Sequence, residues 1–500
     1  MNVALPSTVR GLIEQQAALR PDAVYASATE SAQQISYAEL QAACGRVATL
    51  LRLHGLAPGD TVSLVMPNGL GTLQLLLGAL HGGWCVNPVN LLSQPEQMRY
   101  VLEHSDCKLV LASAEWADKV RALSPRAPVL ALDHENLVLP TWPTSTPAPS
   151  PEATALLMYT SGTTGRPKGV MLTQASLAAN AQAIAAEHAL VPADRVLGVL
   201  PLYHINAFAV TMLAPLASGG SVAMAPRFSA TRFWDQALQT RCTWLNVVPT
   251  IVSYLIEAAG APPREALAAI RLARSASAAL PPEHLRAFEQ LFGVGIVETM
   301  GLTETMAPSF SNPLDPARRK LGSVGCASGC EACVIDAALQ LLPDGATGEI
   351  AIRGRNVMCG YYKDAAASAA AFTPDGWLRT GDLGHRDSDG FYFVTGRIKE
   401  LIIKGGENIA PREIDEALLR HPAVLDAAAV GIPDKHYGQD ILACVVLRPG
   451  APDTDEAALR AFCEQHLGRY KTPKLIRFVT ELPRGPSGKV QRLKLLEGVG

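Results

Sequence analysis

The sequence predicts an α/β fold: a large N-terminal domain of helix-wrapped sheets with a β-rich subdomain, then a small α/β C-terminal domain. Three observations carry this. Up to about residue 320, short apolar runs alternate with helical stretches, the pattern of parallel sheets covered by crossover helices. After that point, GEIAIRG, GWLRTGDLGHRDSDG and FYFVTGRIKELIIK read as short alternating strands between Gly/Asp turns. From Lys404 onward, helix and strand resume and continue to the end of the chain.

Ser36 starts a helix that ends near Leu53, where Gly55 and Pro58-Gly59-Asp60 stop it. TVSLVMPN (61–68) reads as a buried strand, followed by a helix through about Gly82 and a short strand, CVNPVN. The alternation recurs with DCKLVLAS and a helix over 114–123, then RVLGVLPL and an apolar helix from about 206. SVAMAP precedes a helix at 230–240, and CTWLNVVP precedes one at 249–259. The segment LVLPTWPTSTPAPSPEA (137–153) is a surface connection. In the tail, PREIDEALLRHPAV, LDAAAVGIPD, DILACVVLRP and EAALRAFCEQHLG complete a small α/β unit.

A net charge of −3 gives no reason to expect a nucleic-acid partner, and no apolar run approaches the ~20 residues that cross a bilayer. The N-terminus lacks a signal-peptide core, so the expected location is cytoplasmic. Ten scattered cysteines read as reduced thiols. Cys326, Cys330 and Cys333 cluster, but only Cys330-x-x-Cys333 has ligand spacing and no second pair completes a tetrahedral metal set.

The segment with the strongest chemistry is YTSGTTGRPKGVM (159–171), which follows the apolar run ALLM. Thr160, Ser161, Thr163 and Thr164 supply hydroxyls among Gly162, Gly165 and Gly169, with Lys168 as a cation. Glycines let backbone N–H groups approach anionic oxygens, so the loop is expected to bind phosphate. A P-loop needs GxxxxGK followed by Ser or Thr, whereas Lys168 is preceded by proline and followed by glycine.

This loop resembles the signature of the adenylate-forming superfamily of acyl-CoA synthetases and related AMP-dependent ligases. SYAEL (36–40), LPLYHINA (200–207), SASAAL (275–280), MGLTE (300–304), RTGDLG (379–384), GRIKELIIKGGENI (396–409) and PRGPSGKVQR (483–492) resemble the family's other motifs, in order. The stretch 274–325 most resembles the oxalate-CoA and 4-coumarate-CoA ligase branch. The resemblance implies an ATP-dependent acyl-CoA ligase that forms an acyl-adenylate and pyrophosphate, then a CoA thioester and AMP. Its partners would be ATP, Mg²⁺, CoA and a small carboxylic acid, in a monomer or a homodimer. Loading an acyl group onto a carrier protein's phosphopantetheine is the alternative outcome, and a nonenzymatic nucleotide sensor a third.

The resemblance also assigns roles. Residues 1–396 would form the adenylation domain and 397–500 a mobile domain that rotates about a hinge at Lys399. Thr160–Gly165 and Lys168 would hold phosphates, Thr303 would contact them, and Glu304 would bind Mg²⁺. Ser277, Ala278, Ala279, Met300 and Gly301 would line the adenosine site, with Asp382 on the ribose hydroxyls and Arg397 near ribose and phosphate. Lys489 would bring its positive charge to the reacting carboxylate and α-phosphate. Gly405, Gly406, Glu407 and Asn408 would line the tunnel for the thiol arm of CoA, and His204 would border the carboxylate and guard thiol entry. The acyl pocket is expected from His204, Asn206, Val248, Pro249, Thr250, Ser277, Gly301, Thr305 and Met306, a mostly small and apolar set.

Two departures stand out. Met300 replaces the tyrosine that stacks on adenine in the family, and a thioether still covers a ring face. Oxalate-CoA ligases carry histidines where this chain has Asn206 and Ala307, so oxalate is disfavoured: a far carboxylate needs a cation or strong donors.

Overall fold

The computed structural model describes residues 5–160, 166–258, 260–451, 454–484 and 490–497. Four sheets organise them. The largest has nine strands; its central ones, Ile296–Met300, Leu272–Ser275, Trp244–Val247, Arg195–Gly198 and Ser221–Met224, run parallel. Each is a four- or five-residue run returned by a crossover segment, so both faces are covered and the strands are nearly all buried. A seven-stranded sheet holds Thr61–Val65, Cys85–Pro88, Leu109–Ser113 and Val129–Leu132, also parallel, as the alternation predicts.

The edges differ from the expected all-parallel pattern. Thr154–Thr160 and Lys168–Thr173 form an antiparallel hairpin, and Gly360–Tyr361 adds to its outer side. Thr160 and Lys168 are paired in register, so the second strand returns beside the first rather than following a crossover helix. The helix expected after RVLGVLPL begins as a fully buried π-helical stretch, Ala207–Leu213, before Ala214–Ser218 continues as α-helix.

Upstream, Ser36 caps the helix Tyr37–Leu53 through a reciprocal pair: its hydroxyl accepts from Glu39 N–H and the Glu39 carboxylate accepts from Ser36 N–H. The β-rich subdomain is a four-stranded antiparallel sheet of Glu331–Ile335, Gly348–Arg353, Leu378–Arg386 and Tyr392–Arg397. Cys333 lies on its first strand, and the Cys330 thiol donates to Ser309 O at 3.3 Å.

Arg397 ends the last strand of that sheet, so the expected boundary at 396/397 falls inside the strand. The next strand, Ile402–Lys404, opens the tail sheet. The tail has its own core, in which Ile414, Leu418, Leu459 and Cys463 pack on the long hairpin Val424–Asp434/Gly438–Leu447. Among the described residues, no helix is long and apolar enough to cross a membrane.

Candidate active site

Four neighbouring parallel strands end at one edge of the nine-stranded sheet, and the segments leaving those ends carry most of the expected site. Arg195–Gly198 leads into 200–207, Trp244–Val247 into 248–250, Leu272–Ser275 into 275–280 and Ile296–Met300 into 301–306. Carboxyl ends of parallel strands are where open α/β sheets place their ligands. Local contacts hold these segments. Asn68 clips the first one, its Nδ2 donating to Leu200 O at 2.9 Å and its Oδ1 accepting from Leu202 N–H at 3.0 Å. The turn Thr303–Thr305 is held by Asn356, whose Nδ2 donates to Thr305 O at 3.0 Å. Gly301 lies so close to Ala307 that a Cβ would sit 2.6 Å from its Cα, so this approach requires glycine.

At the nucleotide end, the charged side chains already have partners. Asp382 and Arg397 face each other across adjacent strands, with Arg397 Nε 2.7 Å from Asp382 Oδ1. Burial pulls the Arg397 guanidinium down; Asp382 first, then Glu400 and Glu304, more than offset this and hold it above its ordinary value. The Tyr361 hydroxyl donates to Glu304 Oε1 at 2.9 Å, and Lys168 Nζ lies 4.7 Å from the centre of the same tyrosine ring. Tyr361 thus links the phosphate hairpin to Glu304, a role absent from the sequence reading. Its signal was weak: one of the two tyrosines in GYYK (360–363), outside every motif. A carboxylate with one hydroxyl donor and further lone pairs fits a Mg²⁺ that keeps mostly water and phosphate oxygens as ligands.

Thr160 pairs with Lys168 across the base of the phosphate loop. Ser161, Gly162, Thr163, Thr164, Gly165 and Lys489 lie outside the described residues. Arg484 and Val490 bridge each other. Arg492 pairs with Asp415 at 2.5 Å and with Glu400 at 3.2 Å.

At the tail loop, Gly405 and Gly406 form a two-residue turn with φ of 55° and 87°, joining Ile402–Lys404 to Glu407–Ile409. Both angles are left-handed, which is why the turn needs glycine at both places. Beneath it, Lys404 is buried, paired to Asp440 at 2.6 Å and flanked by Tyr437 and Tyr470. Glu407 and Asn408 are exposed beside the turn, and Lys399 is exposed in the short connection between domains.

Among the residues expected to line the acyl pocket, polar contacts join two. Ser277, at φ 76°, and Asn206 lie together, with Asn206 Nδ2 3.4 Å from Ser277 Oγ. Behind Asn206 stands Arg274, fully buried, its NH1 donating to Asn206 Oδ1 at 2.6 Å and to Asn246 Oδ1 at 2.9 Å. The strongest charge at this end is thus a residue that the sequence reading left out. The available signal was an arginine inside the otherwise apolar strand LARS. The other expected lining residues stand as follows: His204 is half-buried against Tyr203; Val248 is buried, with Pro249 and Thr250 partly exposed; and Met306 is buried. The Thr305 hydroxyl is engaged within its own turn, accepting from Leu302 N–H at 3.1 Å. Ala278 and Ala279 are exposed, and Met300 is partly so.

The chain matches the AMP-binding enzyme family over residues 13–362 and the AMP-binding enzyme C-terminal domain over 413–489. It belongs to the AMP-binding enzyme family. It is 55% identical to a sulfoacetate–CoA ligase of Cupriavidus necator, over 98% of this chain and 97% of that protein. It is 35% identical to an oxalate–CoA ligase of Arabidopsis thaliana, over 97% of each. Its fold superposes on ATP-bound MatB from Rhodopseudomonas palustris with a TM-score of 0.91, at 31% identity and 98% coverage of both chains. This AMP-binding enzyme is an AMP-forming acid–thiol ligase, as its ordered motifs predict. ATP and CoA are its co-substrates.

Proposed function

We propose that this ligase converts a short acid bearing a second anionic group, sulfoacetate first, into its CoA thioester. The observation that carries the reading is the 55% identity to a sulfoacetate–CoA ligase across nearly the whole of both chains. In this reading, Asp382 takes the ribose hydroxyls while Arg397 turns from it toward ribose and phosphate. Ser277, Ala278, Ala279, Met300 and Gly301 line the adenosine site, and Thr160–Gly165, Lys168 and Thr303 hold the phosphates. Glu304 holds Mg²⁺, which supplies charge neutralisation on the leaving pyrophosphate.

Residues 1–396 carry adenylation, with catalysis by positioning and charge. Residues 397–500 swing about Lys399, first delivering Lys489 to the reacting carboxylate and then the Gly405–Asn408 turn to the thiol arm of CoA. His204 borders the carboxylate. The rigid Gly-Gly turn over the buried Lys404–Asp440 pair supports free CoA as the acceptor, since it offers a narrow fixed wall.

The test is pyrophosphate release with ATP, Mg²⁺ and CoA over sulfoacetate, malonate, oxalate, propanoate and benzoate, with thioester measured in parallel. Sulfoacetate is expected to give the highest kcat/KM, with one AMP per thioester. Activity confined to monocarboxylates overturns the substrate reading. Thioester formed only on an added carrier protein overturns the choice of acceptor.

A further inference from the structure

Arg274 is a buried cation. It is fully buried, and among the described residues no carboxylate pairs with it. Among the described residues only NH1 is bonded; Nε and NH2 have no hydrogen-bond partner. Burial alone pushes the guanidinium down, to about 9, which leaves it charged at neutral pH. Its neighbour His188 offers no compensation: burial first, then Arg274 and Arg271, push the imidazole down to about 3, so it is neutral. A charge without a counter-charge in a dry interior is strongly unfavourable and is rarely kept without a use.

The surroundings form a built donor set. The two amide oxygens that hold NH1 come from different elements, Asn206 at the end of the 200–207 segment and Asn246 on the neighbouring strand, where it is in register with Arg274. Asn246 is itself fixed by its Nδ2 donating to Thr211 Oγ1 at 3.2 Å, on the buried π-helical stretch. Asn206 reaches the other way, to Ser277. A polar thread therefore runs from the pocket wall at Ser277 through Asn206 to the guanidinium, with spare N–H donors at its end.

Resting on the substrate reading above, we propose that Arg274 is the specificity residue of this ligase. It receives the second anion of the acid, a sulfonate or carboxylate, which enters beside Asn206 and completes the charge that the apo protein leaves unpaired. A guanidinium suits this task because its fork matches two oxygens of an oxoanion at once. The reacting carboxylate is left at the phosphate side of the pocket.

The experiment compares kcat/KM for sulfoacetate with that for propanoate, in the full-length protein and in Arg274→Met, Arg274→Lys and Asn246→Asp. Arg274→Met is expected to lower the sulfoacetate-to-propanoate ratio ~100-fold, the scale of losing charge-assisted hydrogen bonds. Arg274→Lys recovers part of the ratio. Asn246→Asp gives Arg274 an internal counter-ion without changing side-chain shape, and lowers the ratio in a protein that folds even where Arg274→Met does not. Melting temperature provides a readout apart from turnover. Sulfoacetate alone raises it in the parent and not in Arg274→Met. Equal loss on both acids in the variants that fold makes Arg274 structural and overturns the inference. A parent that turns over no two-anion acid removes the substrate reading and this inference together. A parent that does, with an unchanged ratio in all three variants, removes the inference alone.

Discussion

The two ends of the active site solve opposite electrostatic problems. At the nucleotide end, every charge named has a companion within the chain: Asp382 with Arg397, Glu304 with Tyr361, Lys168 over the same ring. At the acid end, Arg274 is buried with amide oxygens and no anion. In the proposed reading, ATP binding exchanges these internal partners for ligand. The acid is what varies, and here the protein leaves a charge for the substrate to balance. The lesson is that selectivity is found where the apo structure is electrostatically incomplete.

Breaking the nucleotide end should hurt all acids alike. Lys489→Ala is expected to slow adenylation ~100- to 1,000-fold, the scale of removing a donor aimed at developing charge. Supplied acyl-adenylate should still be converted to thioester, which stopped-flow assays of the separate half-reactions measure. Equal loss in both half-reactions sinks the role given to Lys489. Next in size, Asp382→Ala removes the acceptor for two ribose hydroxyls and is expected to lower kcat/KM for ATP ~50-fold, through two lost charged hydrogen bonds that partly overlap. The ratio between sulfoacetate and propanoate should not move; a shift in that ratio means that the two ends are not separable. The smallest effect belongs to a site outside both. Ser36→Ala removes the capping box of Tyr37–Leu53 and is expected to cost about 1 kcal/mol in urea unfolding with kinetics intact. A kinetic change there shows that this helix communicates with the site.

Legibility in the sequence followed the same division. The phosphate loop, MGLTE, RTGDLG and the Gly-Gly turn are local devices: a few consecutive residues place their own backbone and side chains. Asp382 and Arg397 were assigned separately, and the tertiary structure added that they pair across a hairpin. The parallel centre of both large sheets followed from apolar strand–helix alternation, whereas the antiparallel hairpin at the phosphate loop did not, because periodicity says nothing about strand direction when the connection is short. The neutral and apolar residues near the motifs were visible in the sequence, whereas the contact between Arg274 and Asn206 was not, because it joins a strand interior to a residue 68 positions away.

The sequence by itself determined the chemistry: activation of an acid by ATP and transfer to a thiol, written in motifs whose function depends on neighbours in the chain. Only the tertiary structure decided how the acid is met. Arg274 acquires its meaning from Asn246, 28 residues away, and Asn206, 68 residues away. Burial, and with it the cost of an unpaired charge, is a property of neighbours in space rather than in sequence.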